Sequence, residues 1–227
     1  MAKIGRDHNL FRSEMYLVKD PMKNFALILT ILYLGTAPLL SGDAAKGKQL
    51  YAVCTACHGV NGEGNIALKS PPVAGQEDWY LKTQLLKFKA GIRGADPKDI
   101  EGMQMRSMAM TLADDASMQD VIAYIKTFKG TKPASTLKGG DPVKGKGLYM
   151  TCLACHGPKA EGVKALKGPS LKQLPDWYLL AQINKFKSGV RGSHPKDVEG
   201  MQMRPMATLL KDEQAMKDVI AYIHSLE

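Results

Sequence analysis

The sequence predicts an all-α protein of two tandem helical domains, and three observations carry that prediction. Shifting the chain by 98 residues, the distance from Cys54 to Cys152, aligns 43–129 on 141–227 without a gap. Apolar residues in both copies recur at helical spacing, and no run alternates as a half-buried strand does. Between the copies lies GTKPASTLKGG, residues 130–140, whose Gly, Pro, Ser and Thr content marks a linker. Two copies are too few for a solenoid array, which needs three or more. The expected organisation is therefore an N-terminal region, 1–42, a first domain, 43–129, the linker, 130–140, and a second domain, 141–227.

Taken in order, the N-terminal region raises a question of address. From Met22 the chain runs MKNFALILTILYLGTAPLLSGDAA: a lysine, an apolar stretch from Phe25 to Leu34, then small and polar residues near Ser41 and Gly42. That is the layout of a secretory signal, with Met22 as the expected start. No well-placed cleavage pattern ending in Ala is present, so a retained membrane anchor is the alternative. The apolar stretch reaches only to Leu40 and contains Pro38, which is short for a bilayer span. Either way the working part is expected outside the cytoplasm, in the periplasm.

Each copy then reads as three helices. Leu50, Tyr51 and Cys54 share one helical face. Trp79, Leu81, Leu85, Leu86 and Phe88 form a second helix, stopped near Gly91 and Gly94. Met118, Val121, Ile122 and Ile125 make an apolar stripe on a third, opened by Asp114 and Asp115. Three short helices in fewer than 90 residues bury a thin core, of the size that needs a covalent or metal staple.

The cysteines supply the candidate. Residues 54–59 read CTACHG and residues 152–157 read CLACHG. A disulfide gives no reason for His58 or His156 beside it. A thioredoxin-like dithiol wants a βαβ pattern, which is missing. Structural zinc needs four ligands, and residues 43–140 offer only Cys54, Cys57 and His58 as Cys or His donors. Cys-x-x-Cys-His is instead the attachment signature of c-type haem. Cys54 and Cys57, like Cys152 and Cys155, would form thioethers to one haem, with His58 or His156 as the proximal iron ligand. Two covalently attached haems c follow. For the sixth iron position, the first copy has no second histidine, and His194 and His224 align with Asp96 and Lys126. Methionine remains: Met103, Met105, Met108 and Met118 have counterparts at Met201, Met203, Met206 and Met216. Met118 and Met216 belong to the apolar stripe and are expected in the core. The others are expected in a loop before the last helix. His/Met ligation leaves no vacant position for substrate, which points to electron transfer.

These residues resemble class I cytochromes c, and the tandem resembles the dihaem cytochrome c-four family, over about residues 43–227. The resemblance rests on the two Cys-x-x-Cys-His strings, on MRSMA at 105–109 with MRPMA at 203–207, and on the closing Ala-Tyr-Ile helices. It implies Met105 and Met203 as axial ligands, with Met103/Met201 and Met108/Met206 as fallback pairs. It further implies that the carbonyls of Pro71 and Pro169 hold the proximal histidines, and that the two domains face each other about a pseudo-twofold. Pro205 stands where the first copy has Ser107, so the two iron environments need not match.

The formal charge is +9, of which +2 lies in residues 1–42 and the rest is spread over both copies. With no dense basic run, nucleic acid is not an expected partner. Lys82, Lys89 and Arg93 fall on one side of the second helix, with Lys187 and Arg191 matching two of them. They are either a docking patch for an acidic partner or a solvated face. The expected function is transfer of single electrons between respiratory partners, a quinol-oxidising complex and a terminal oxidase. The alternative is an electron-transfer subunit of a periplasmic dehydrogenase acting on sulfide, alcohols or amines. A dihaem peroxidase would need an open haem and is the weakest reading. Membrane association is expected only if the signal is retained.

Overall fold

The computed structural model describes residues 42–226; the apolar stretch read as a signal or anchor lies outside them. Each repeat contributes five α-helices. In the first they are α1 (Ala44–Tyr51), α2 (Thr55–His58), α3 (Asp78–Lys89), α4 (Ile100–Met110) and α5 (Asp115–Ile125). In the second they are α6 (Pro142–Tyr149), α7 (Leu153–His156), α8 (Asp176–Lys187), α9 (Val198–Leu209) and α10 (Glu213–Ser225). Among the described residues there is no strand, only isolated bridges at Asn65–Ser70 and Val163–Gly168. No helix among them is long and apolar enough to cross a membrane.

Aspartates cap six of these ten helices. Asp43 accepts from the backbone N–H groups of Ala45 and Lys46, and Asp141 does the same for Val143 and Lys144. Asp114 forms a reciprocal cap with Ser117. A carboxylate there satisfies donors that have no helical partner and meets the positive end of the helix dipole. The expected helix at Trp79 ends as predicted, at Lys89, ahead of Gly91 and Gly94.

Two expectations need correction. The first apolar face is broken after Tyr51, and Cys54 begins the separate one-turn helix α2. The methionine segments are helical, not loops: Asp99 caps α4 through Gly102 N–H, and Asp197 caps α9 through Gly200 N–H. The helices run through Gly102 in α4 and through Gly200 and Pro205 in α9, so the caps and packing offset poor local propensity there.

The first and last helices of each repeat cross at a glycine. A Cβ on Gly47 would sit 1.9 Å from the Asp120 carbonyl oxygen, and one on Gly145 would sit 1.9 Å from that of Asp218. Only glycine lets the two backbones approach so closely. Tyr51 and Tyr149, each 1% exposed, fill the space beside the crossing and donate to the carbonyls of Gly59 and Gly157. Met118 and Met216 are buried in the core, as the stripe predicts.

The two repeats meet through a reciprocal clamp. Lys87 reaches Asp197 at 2.5 Å and Glu199 at 2.6 Å. Lys185 reaches Asp99 at 2.5 Å and Glu101 at 2.7 Å. Beside it, Arg93 donates to Gln84, Tyr178 and Gln182, while Arg191 donates to Gln182 and Gln84. Every one of the lysine bonds maps onto its mate under the 98-residue shift, which is the mark of a pseudo-twofold. The linker is held by Asp176, which accepts from Thr136 and Leu137 N–H and from the Thr136 hydroxyl. His224 adds contacts to Ser135 and the Leu174 carbonyl.

Lys87→Met is expected to destabilise the fold by about 3 kcal/mol, because it strands the buried Asp197 carboxylate; a denaturant titration reads this, and Asp197→Asn in the same chain should restore part of it. The clamp also sets acid sensitivity. Lys185 holds the Glu101 carboxyl down at about 2, below its ordinary 4.5, and Lys87 lowers Glu199 likewise. A lowered carboxyl stabilises the folded state above the unfolded value and loses that contribution as pH falls through the folded one. Stability should therefore drop between pH 4.5 and about 2, and Glu101→Gln should flatten that limb in a pH series of melts.

Candidate haem-binding sites

Each Cys-x-x-Cys-His string folds as a single helical turn, with His58 N–H bonded to Cys54 O and His156 N–H bonded to Cys152 O, both at 2.9 Å. Cys54 and Cys57 thereby face one cavity, and Cys152 and Cys155 face its counterpart in the second repeat. None of the four is paired in a disulfide. Burial, then the neighbouring Cys57, pushes the Cys54 thiol up to about 11, and burial raises Cys152 as well. No group of three His, Cys, Asp or Glu side chains gathers as a metal site among the described residues.

The histidines are fixed by backbone. His58 Nδ1 lies 2.8 Å from the Pro71 carbonyl, and His156 Nδ1 lies 2.8 Å from that of Pro169. A carbonyl can only accept, so Nδ1 carries the proton and Nε2 keeps its lone pair. Burial lowers the pKa of both imidazoles, against the opposing effect of the carbonyl bond, and so favours the neutral ring. A neutral imidazole with a committed Nδ1–H and a free Nε2 is the form that ligates a metal.

The first cavity, about 750 Å³, is lined by Cys54, Cys57, His58, Pro71, Leu81, Leu85, Phe88, Met105 and Met108, and across the repeat boundary by Trp177, Tyr178 and Gln182. The second has the matching wall, including Cys152, Cys155, His156, Pro169, Met203 and Met206, and is narrower at about 190 Å³. Two thiols, a neutral imidazole and a thioether, set in an apolar wall, are the donor set a covalent haem requires. Met105 and Met203 are part-buried, while Met103, Met108, Met201 and Met206 are exposed. Met103 and Met201 do not line the cavities.

The expected docking cations all have partners within the chain, although the Lys82 pair lies at the surface. Lys82 pairs with Asp115, and Lys89 donates to the carbonyls of Leu112 and Ala113. Lys187 does the same at Leu210 and Lys211. Arg93 and Arg191 stack on Phe88 and Phe186 at the repeat boundary. Their common side was legible from spacing; that Arg93 and Arg191 face protein was not. His194 accepts from the Lys196 backbone at the surface. The clamp lysines and the Gln84–Gln182 pair were missed altogether, although the identical strings at 87–89 and 185–187 carried a signal of reciprocity.

Comparison with known proteins agrees with this geometry. The cytochrome c family matches residues 44–129 and again residues 142–227. Cytochrome c4 of Azotobacter vinelandii is 34% identical over 218 residues, spanning 88% of this chain and 100% of that protein. The thiosulfate dehydrogenase electron acceptor of Thiomonas intermedia is 32% identical over 184 residues, 77% of this chain and 80% of that one. Reduced cytochrome c4 from Pseudomonas stutzeri superposes with a TM-score of 0.63 at 30% identity, covering 82% of this chain and all of that structure. The chain belongs to the cytochrome c family, in its tandem cytochrome c4 group, and is a dihaem electron carrier with one covalently bound haem c in each repeat.

Proposed function

We propose that residues 43–129 and 141–227 act as two electron-carrying domains of a periplasmic protein that relays single electrons between respiratory redox partners. Haem iron, when bound, cycles between ferric and ferrous states and so supplies one electron per site. Cys54, Cys57, Cys152 and Cys155 tether the macrocycles, and His58 and His156 offer Nε2 to the irons. Pro71 and Pro169 hold those rings in one tautomer. Met105 and Met203 would supply the remaining protein ligand to each iron. The observation that carries this assignment is that each lines the cavity shared with its histidine and is the less exposed of the two cavity-lining methionines of its helix. The apolar walls exclude water, which disfavours the extra charge of the oxidised iron and raises the potential.

A second reading makes the chain the electron-accepting partner of a periplasmic dehydrogenase. It is favoured by the similarity to the thiosulfate dehydrogenase electron acceptor. Stable co-purification with an oxidoreductase would select it, whereas a freely diffusing monomer would select the respiratory carrier. Export is supported by the covalent haem chemistry together with the apolar stretch from Phe25 to Leu34.

An optical redox titration should show two haems at positive potential, both with the sulfur-to-iron charge-transfer band. Met105→Leu and Met203→Leu should each remove one haem's share of that band, while Met103→Leu and Met201→Leu leave it intact. A high-spin haem in the unaltered protein would instead mean an open site and reopen the enzyme reading.

A further inference from the structure

One polar side chain in the first cavity has no partner. Gln76 is 2% exposed, and neither Nε2 nor Oε1 makes a hydrogen bond among the described residues. Its backbone is well held, with the carbonyl accepting from Lys126 Nζ at 2.9 Å, so the side chain has little freedom to seek solvent. Leaving a buried amide unsatisfied costs about 1–3 kcal/mol. The residue lies in the extended segment just ahead of α3 and lines the first cavity and not the second, whereas Tyr80 and Gln84 of α3 line both. Gln84 already accepts from Arg93 and Arg191, so Gln76 is the amide beside Leu81 and Leu85 that is left without a partner. In the second repeat the matching position is Leu174, which is buried and apolar.

We propose that the Gln76 amide donates a hydrogen bond to a carboxylate of the haem in the first repeat, and that this donor, absent at Leu174, makes the two haems electrically inequivalent. Haem carries two propionates, and the unpartnered Gln76 amide would supply a donor to one of them from the cavity wall. An N–H bond to a propionate draws off part of its negative charge. Less negative charge near the iron disfavours the ferric state, so Gln76 raises the potential of the first haem. Gln76 is thus a positioning and tuning residue that acts on the iron through the carboxylate. The inference rests on the haem assignment above and fails separately from it.

The test uses the full haem-loaded chain with Gln76→Leu and, as a second apolar replacement of similar length, Gln76→Met. A pyridine haemochrome assay first counts two haems per chain, which checks the haem assignment by itself. Potentiometric titration then reads each haem, and resonance Raman reads the propionate-bending band. In both variants one haem's midpoint should move to lower potential, the other should stay, and the propionate band of one haem should shift. Unchanged midpoints and an unchanged propionate band would overturn the proposal, since the amide would then be satisfied by an ordered water alone. An equal shift of both haems, or a loss of the charge-transfer band, would overturn it as well, because the effect would then be structural.

Discussion

Asp99 and Asp197 each perform two tasks at once, and the arrangement of the two sites depends on that. Each carboxylate caps the methionine-bearing helix of its own repeat and accepts the lysine ammonium of the other. Burying such a charge is unfavourable unless both its cap and its ion pair are in place. The helix that carries Met105 is thereby anchored by the second repeat, and the helix that carries Met203 by the first. Site geometry and domain docking are consequently one cooperative unit. A loss at the boundary is felt at the wall of either cavity.

The boundary obeys the rule of an isologous interface inside a single chain: if residue i meets residue j, then j meets i. That economy follows from the repeat, because the same lysine, aspartate and glutamate occur at the same offset in each copy. Between the clamps, Arg93 and Arg191 share Gln84 and Gln182 and lie over phenylalanine rings. This buried polar layer separates the two cavities. It gives the inner edges of both sites donors in a place where water is scarce, and donors in a low-dielectric setting act strongly on nearby charge.

Against that symmetry, the departures stand out. Gln76 faces Leu174, Glu77 faces Pro175, and Ser107 faces Pro205 in the alignment. Glu77 reaches the Ser170 backbone of the second repeat, a contact that Pro175 cannot return. Ser107 bonds its hydroxyl to the Met103 carbonyl in α4, whereas Pro205 removes a helical N–H within α9 beside Met203. The two sites are built from one plan and finished differently. The exchange of Met110 and Thr111 for Thr208 and Leu209 has no explanation in the structure.

By itself the sequence determined the helical class, the tandem repeat and the two haems c, and it proposed the residues that attach them. These are local signals: periodicity, turn composition, and a Cys-x-x-Cys-His spacing that one helical turn satisfies. It also placed Met118 and Met216 in the core, because an apolar stripe names its own buried face. The tertiary structure decided what spacing cannot carry. Whether Lys89 and Arg93 look into solvent or into protein depends on what packs over their face, and that partner lies elsewhere in the chain. The helical state of 100–110, hidden among Gly, Met and Ser, was fixed once Asp99 had both a cap to make and a lysine 86 residues away to hold. Which of three neighbouring methionines meets the cavity is a question of rotation about the helix axis that only packing answers: Met105 and Met108 line it and Met103 does not.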